Sequence, residues 1–340
     1  MTGAKKVILV TGGGGYLGSV MVPILLEMGY AVKVIDRFFW GKEVLAPGTA
    51  NSNLTLIGDD VRTYPKRHLQ GVDVVIDLAA LSNDPIAELD PRRTFEINCD
   101  ARIRTASLAK DAGVQRYVMA SSCSVYGFQD GILNETSRPS PVTTYARAAL
   151  VAEEGVLPFS SKAFSVTALR QGTLYGLSPR MRFDLVLNTM VLSFFREKLI
   201  TVQGGEQWRP LVHVADSAAA FICIAEAALE NVSGQIFNVG SSEQNFQIKD
   251  LAKRIASVLD ESSRVVVQEV QTDFRSYRVA FEKITKATQW RAKKTPEDGA
   301  REVYAALKSG RISATPQTKT IDWYRHLLSQ DPGLLDAPKQ

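Results

Sequence analysis

Short apolar runs closed by glycine or polar clusters fill the first half of the chain, and the stretches between them carry apolar residues at helical spacing. Val7-Ile8-Leu9-Val10 leads through Thr11 into four glycines. An unbroken apolar run of that length reads as a strand covered on both faces. Residues 16–29 follow with helical spacing and stop at Gly29, although Pro23 interrupts the pattern. Further buried strands are expected at 31–35, 54–57, 72–78 and 116–120, with one long helix over 94–112. Residues 142–157 and 163–169 repeat the order of helix then strand. Such alternation implies right-handed crossovers and a parallel sheet. Residues 1–172 therefore predict a Rossmann-type, doubly wound α/β domain.

Beyond Gln171 the rhythm changes. Helical stretches at 183–197, 214–228, 248–259 and 296–307 alternate with short strands such as 236–239 and 265–267. This predicts a smaller mixed lobe over 173–312, exchanging some segments with the first domain. Residues 313–340 read as a polar, proline-marked tail with one short helix at 321–328.

Composition excludes several classes. With 340 residues, 45% hydrophobic and 22% charged, the chain suits a soluble globular protein with a substantial core. A net charge of +4 fits an anionic small ligand. No basic run or basic stripe with interleaved aromatics points to nucleic acid. Cys99, Cys123 and Cys223 are odd in number and lack metal-ligand spacing, so free thiols in a cytoplasmic protein are expected. Three histidines without a paired ligand pattern give no reason to expect a metal. The N-terminal apolar run is too short for a signal peptide or membrane span.

The sharpest local signal is Thr11-Gly12-Gly13-Gly14-Gly15-Tyr16-Leu17-Gly18, between the first strand and the first helix. Gly12, Gly15 and Gly18 provide a tight turn, close backbone approach and close helix packing, and the helix N-terminus then faces a diphosphate. Asp36 ends the second strand, where a carboxylate accepts from adenosine ribose hydroxyls and repels a 2′-phosphate. That favours NAD, while Arg37 beside it offers a guanidinium that suits a phosphate. Asp60 and Val61 follow the third strand, well placed for the adenine edge. Leu78, Ala79 and Ala80 end the fourth strand with side chains that let a dinucleotide lie against the backbone.

With these motifs, together with Asp77, Asn98, Ser121 to Gly127, Tyr145, Trp208 to Asp216 and Phe237 to Gly240, the chain resembles the extended short-chain dehydrogenase/reductase family, in particular its nucleotide-sugar epimerases and dehydratases. The resemblance spans roughly residues 5–310. It implies an NAD-binding domain, a C-terminal lobe that grips an activated sugar, and a homodimer paired through the helices at 94–112 and 142–157. It also implies that Ser122 bonds the reacting sugar oxygen, that Tyr145 is the base, and that Asn98 lies near the cofactor.

One feature of the family pattern is missing. Four residues after Tyr145, where the family carries lysine, stands Ala149. A free phenol titrates at about 10, and lowering it by about 3 units takes roughly 4 kcal/mol of differential stabilisation. Ala149 supplies none of it, and Arg147 lies on another helix face. The resemblance thus implies binding of cofactor and sugar nucleotide with slow turnover.

Dehydratases of the family carry Asp-Glu just after the catalytic hydroxyl, where this chain has Cys123 and Ser124. That favours epimerisation through a transient ketone over dehydration. Cys123 qualifies as a proton donor only with a depressed pKa. For the substrate, Arg209 and Arg275 match positions near the diphosphate, while Arg180, Arg182, Asp184, Leu185 and Asn188 suit the nucleobase or sugar. His213 and Asp216 are expected to anchor the following helix. The alternatives are a nucleotide-sugar dehydrogenase, reductase or dehydratase, and a catalytically silent NAD-binding protein, for which Ala149 is the sole support.

Overall fold

The structure is a computed structural model and describes residues 6–46, 51–260, 264–269 and 275–338. Its strands, in chain order, are β1 Val7–Thr11, β2 Ala31–Asp36, β3 Leu54–Gly58, β4 Val74–Asp77, β5 Arg116–Ser122, β6 Phe128–Leu133, β7 Ser165–Gln171, β8 Thr173–Tyr175, β9 Leu199–Gln203, β10 Trp208–His213, β11 Gln235–Val239, β12 Asn245–Gln247, β13 Arg264–Gln268 and β14 Ser276–Val279. Seven of them form one parallel sheet in the order β11-β7-β5-β4-β1-β2-β3. The chain leaves β1 first to one side and then to the other. The carboxyl ends of β1 and β4 therefore flank the switch point, where open α/β sheets bind ligands.

Alternate residues of these strands feed two different cores. Ile8, Val10, Val34 and Ile76 pack on one face with Met21, Val22, Ala218 and Phe221, from the helices Gly18–Glu27 and Val214–Glu226. Leu9, Ile35, Val75 and Tyr117 pack on the other with Ala106, Ala109 and Ala152, from the helices Ala101–Asp111 and Thr144–Val156. Burial on both faces explains the unbroken apolar runs.

Several expectations shift. Pro23 does not end its helix, because buried Met21, Val22, Leu25 and Leu26 hold both sides of it in place. The strand expected at 236–239 belongs to the large sheet as β11, although it lies far along the chain. The long helix expected over 94–112 is built from Pro91–Phe95, a widened π turn at Glu96–Asp100, and Ala101–Asp111. The helix expected from 183 begins only at Val186, since Asp184 is held by Arg182. Beside the large sheet, the short sheet β12-β10-β8 and the helices Val186–Glu197, Ile248–Leu259 and Pro296–Lys308 enclose a separate core around Phe194, Leu211, Leu251 and Val303.

The tail is not a loose appendage. Its helix Thr320–Gln330 folds back so that Tyr324 and Leu335 pack with Leu81, Ile86, Phe39 and Trp40, near the ends of β2 and β4.

Candidate active site

The glycine loop runs from the end of β1 into the helix Gly18–Glu27. Gly12 has φ +68°, and a Cβ there would lie 2.7 Å from the Ala79 nitrogen, so the turn is pressed against the chain leaving β4. A Cβ at Gly18 would lie 2.5 Å from Gly13 Cα, which closes the helix start onto the loop. At the end of β2, Asp36 accepts from Gly14 N at 2.9 Å and Phe38 N at 2.7 Å. Burial raises its pKa, opposed by those two donors and by Arg180.

One cleft gathers most of the expected cofactor residues. Gly12, Gly15, Tyr16, Leu17, Asp36, Arg37, Asp60, Val61, Leu78, Ala79, Ala80 and Tyr145 all line it. Arg37 is engaged by Asp60 at 3.0 Å, and Arg62 joins the same carboxylate at 2.7 Å. Burial alone would raise the Asp60 pKa, but the bonds from Arg62 and Arg37 outweigh it and hold the carboxyl below its usual range. With Arg37 bound in this way and Asp36 beside it, this end of the cleft is suited to ribose hydroxyls rather than to a further phosphate.

Asn98 takes a scaffolding place through backbone hydrogen bonds. Its side chain pairs with both backbone groups of Leu81, at 2.8 and 3.0 Å, because the widened turn carries it against that loop.

At the other end, Tyr145 sits in the first turn of the helix Thr144–Val156. Thr143 fixes that turn by accepting from Ala146 N at 3.2 Å. Ser122, at the end of β5, hydrogen-bonds the Tyr145 side chain and accepts from Ser124 N at 3.1 Å. Behind them, Glu153 and Arg170 form a buried ion pair at 2.6 Å, and Ser121 Oγ donates to Glu153. Ala149 is buried in an apolar cluster with Cys123, Val125, Tyr126, Tyr277 and Phe281.

Cys123 and Ser124, expected near the reaction, are turned into the core. The Cys123 thiol donates to Arg170 O at 3.3 Å, and burial pushes its pKa well up, the reverse of what a proton donor near neutral pH requires. Ser124 Oγ is buried without a partner.

The arginines divide into two groups. Arg180 and Arg182 line the same cleft as the glycine loop. Arg182 binds Asp184 at 2.9 Å, and Asp184 also accepts from Asn83 at 2.8 Å. Arg180 stacks 3.9 Å from the Trp40 ring, with its Nε and Nη1 buried and unpartnered. Burial, with repulsion from Arg182, pulls its pKa down to about 9. Arg209 and Arg275 lie together elsewhere, Arg209 donating to Arg275 O, and Arg275 pairs with Asp84. Asn188 is interior, accepting from Gly176 N at 3.0 Å and donating to Arg182 O at 2.9 Å, and Leu185 precedes the first turn of its helix without a capping hydrogen bond. His213 caps the helix Val214–Glu226 as expected, whereas Asp216 anchors Lys293 N and Lys294 N.

Sequence reasoning missed three contributors to the cleft. Arg102 reaches it from the helix Ala101–Asp111, and Phe39 with Trp40 reach it from the loop after β2. The tail adds Tyr324 and Leu335. It is fastened by Trp323 Nε1 donating to Phe39 O at 2.7 Å, Trp40 Nε1 to Gln317 O at 2.9 Å and Arg62 to Leu335 O at 2.9 Å. The aromatic pair Trp323-Tyr324 in an otherwise polar tail was the available signal. Among the described residues, no cluster of His, Cys, Asp or Glu is arranged to hold a metal, and no helix is long and apolar enough to cross a membrane.

A doubly wound sheet whose glycine loop shares a cleft with Tyr145 is the arrangement of a Rossmann-type, dinucleotide-dependent enzyme. The chain belongs to the NAD dependent epimerase/dehydratase family, whose model matches residues 8–240. It is 27% identical over 277 residues to the UDP-N-acetyl-alpha-D-glucosaminuronate decarboxylase of Bacillus cytotoxicus, covering 77% of this chain and 83% of that one. It is 27% identical over 270 residues to the UDP-glucose 4-epimerase of Streptococcus mutans, covering 73% and 81%. Among solved structures, MoeE5 in complex with UDP-glucuronic acid and NAD superposes with a TM-score of 0.78 at 25% identity, covering 89% of this chain and 99% of that one. The UDP-N-acetylglucosamine 4-epimerase of Methanobrevibacter ruminantium shares the fold with a TM-score of 0.81 at 24% identity, covering 90% and 99%.

The cofactor of this family is NAD. The residues present fit it. Backbone of the glycine loop lines the cleft at the start of a helix, Asp36 offers a carboxylate able to accept from ribose hydroxyls, and the unpartnered buried nitrogens of Arg180 suit an anion.

Proposed function

We propose that this chain is an NAD-dependent epimerase acting on a nucleotide-activated sugar. The observation that carries the reading is the pairing of Tyr145 with Ser122 beside the glycine-loop cleft, with Cys123 and Ser124 turned away from it. When bound, NAD supplies reversible hydride acceptance. Tyr145 takes the proton of a sugar hydroxyl as its carbon is oxidised and returns it when the ketone is reduced on the opposite face. Ser122 orients the phenol and the reacting oxygen. Cys123 and Ser124 follow Ser122, so the Asp-Glu pair that dehydratases of the family carry there is missing. Arg209 and Arg275 are the candidates for the substrate diphosphate, supported by their adjacency. UDP-sugars are the first class to try, since the relatives named above are enzymes of UDP-sugars. A cytoplasmic homodimer is part of the reading, supported by the three unpaired cysteines and by exposed Val151 on the helix Thr144–Val156.

The test is to incubate the NAD⁺-loaded protein with UDP-, GDP-, dTDP- and CDP-sugars and follow the sugars by proton NMR. Inversion at one carbon with no accumulation of NADH is expected. Stoichiometric NADH, a dehydrated keto-sugar or released carbon dioxide would replace this reading with a dehydrogenase, dehydratase or decarboxylase.

A further inference from the structure

We propose that Arg102 sets the protonation of Tyr145, delivering from a neighbouring helix the positive charge that position 149 lacks. The inference rests on the reading of Tyr145 as the base.

Ala149 brings only a methyl group, buried among apolar side chains, so the helix of Tyr145 offers no cation one turn on. The neighbouring helix Ala101–Asp111 does. Arg102 stands just past the widened turn Glu96–Asp100 and is 5% exposed. It lines the cleft with Tyr145, Ala79 and Ala120. Two carbonyls hold its guanidinium, one within β5 and one just past the end of β4. Nη1 donates to Ala120 O, and Nη2 to Ala79 O at 3.2 Å. Nε is buried without a partner. Among the described residues, no carboxylate forms an ion pair with Arg102.

Arg182 and Asp84, the other charged groups that act most on Tyr145, are each paired. Arg182 is paired with Asp184 at 2.9 Å, and Asp84 with Arg275. Glu88 accepts from Thr144 N at 3.0 Å, and Arg147 is exposed. With no ion-pair partner among the described residues, Arg102 presents its charge to the phenol across the shared cleft. Burial raises the Tyr145 pKa most. Arg102 is the strongest influence against that rise, ahead of Arg182 and the Ser122 hydrogen bond, and Asp84 adds to the rise. Arg102 is a positioning residue for the protonation state of the base.

The test follows the Tyr145 titration by tyrosine ring-carbon NMR, with and without NAD⁺, assigning the resonance through its loss in Tyr145→Phe. Arg102→Gln keeps donors for the two carbonyls and removes the charge. It should raise the Tyr145 pKa by about 1 unit or more, a tenfold or larger drop in phenolate at fixed pH below that pKa. Arg102→Lys keeps the charge and should titrate within about half a unit of the parent. An unmoved titration in Arg102→Gln overturns the proposal. Should that variant not fold, Arg102→Lys decides, and a rise of more than about 1 unit with the charge retained overturns it. The titration needs no sugar, so failure of this proposal and failure of the epimerase reading are read separately.

Discussion

Removing one carboxylate, by Asp184→Asn, probes the electrostatics of the cleft through stability. Asp184 is bound at both oxygens, by Arg182 Nε at 3.0 Å and Nη2 at 2.9 Å. Burial alone would raise its pKa, but Arg182 more than offsets that and holds the carboxyl at about 2, against an ordinary 3.8. At 1.36 kcal/mol per unit, the difference is worth roughly 2.4 kcal/mol of folding stability at neutral pH. The folded value lies below the unfolded one, so this contribution is complete above about pH 4 and fades as pH falls through about 2. By pH 3 about 1 kcal/mol of it is gone. The asparagine variant has no such dependence, and it leaves a buried guanidinium uncompensated, a loss of about 3–5 kcal/mol at neutral pH. Urea unfolding of parent and variant at pH 7 and at pH 3 is the assay, and subtracting the two cancels every other titrating group. The gap should narrow by about 1 kcal/mol at the lower pH. A gap that stays constant or widens would show that Asp184 and Arg182 do not interact as described.

Gly12→Ala should destabilise the fold by about 2–4 kcal/mol in thermal or urea unfolding and weaken NAD binding, because it combines a left-handed backbone with a contact against Ala79. A parent-like melting curve would refute that geometry. Tyr145→Phe should lower turnover by about 10²–10⁴-fold with a parent-like melting curve, and appreciable residual turnover would remove Tyr145 as the base. A chain ending at Ser313 loses Tyr324 and Leu335 from the cleft wall, and its dissociation constant for NAD should rise about tenfold or more, each tenfold being about 1.4 kcal/mol. Unchanged affinity would mean that the tail packs on the cleft without serving it.

The parallel sheet and the glycine loop were legible because their signals are local. Apolar runs such as Val7–Val10 record burial on both faces, and glycines between a strand and a helix record close backbone approach. What the sequence hid depends on long-range placement. Strand β11 reads like any short strand, and nothing nearby says that it pairs with β7. Cys123 and Ser122 are neighbours on the chain, yet the short turn after β5 sends one into the core and leaves the other beside Tyr145. Arg102 gave no periodic signal either. Its place in the cleft depends on the widened turn before it and on the carbonyls of Ala79 and Ala120, which come from two other segments.

The central claim is that the cleft oxidises and re-reduces one carbon of a bound sugar. The most direct measurement uses a sugar nucleotide deuterated at the inverted carbon, incubated with NAD⁺-loaded protein and analysed by NMR and mass spectrometry. The account predicts that the epimerised sugar keeps its deuterium, with a primary isotope effect on turnover and no label in solvent or released cofactor. Label lost to water, or left in free NADH, would contradict it.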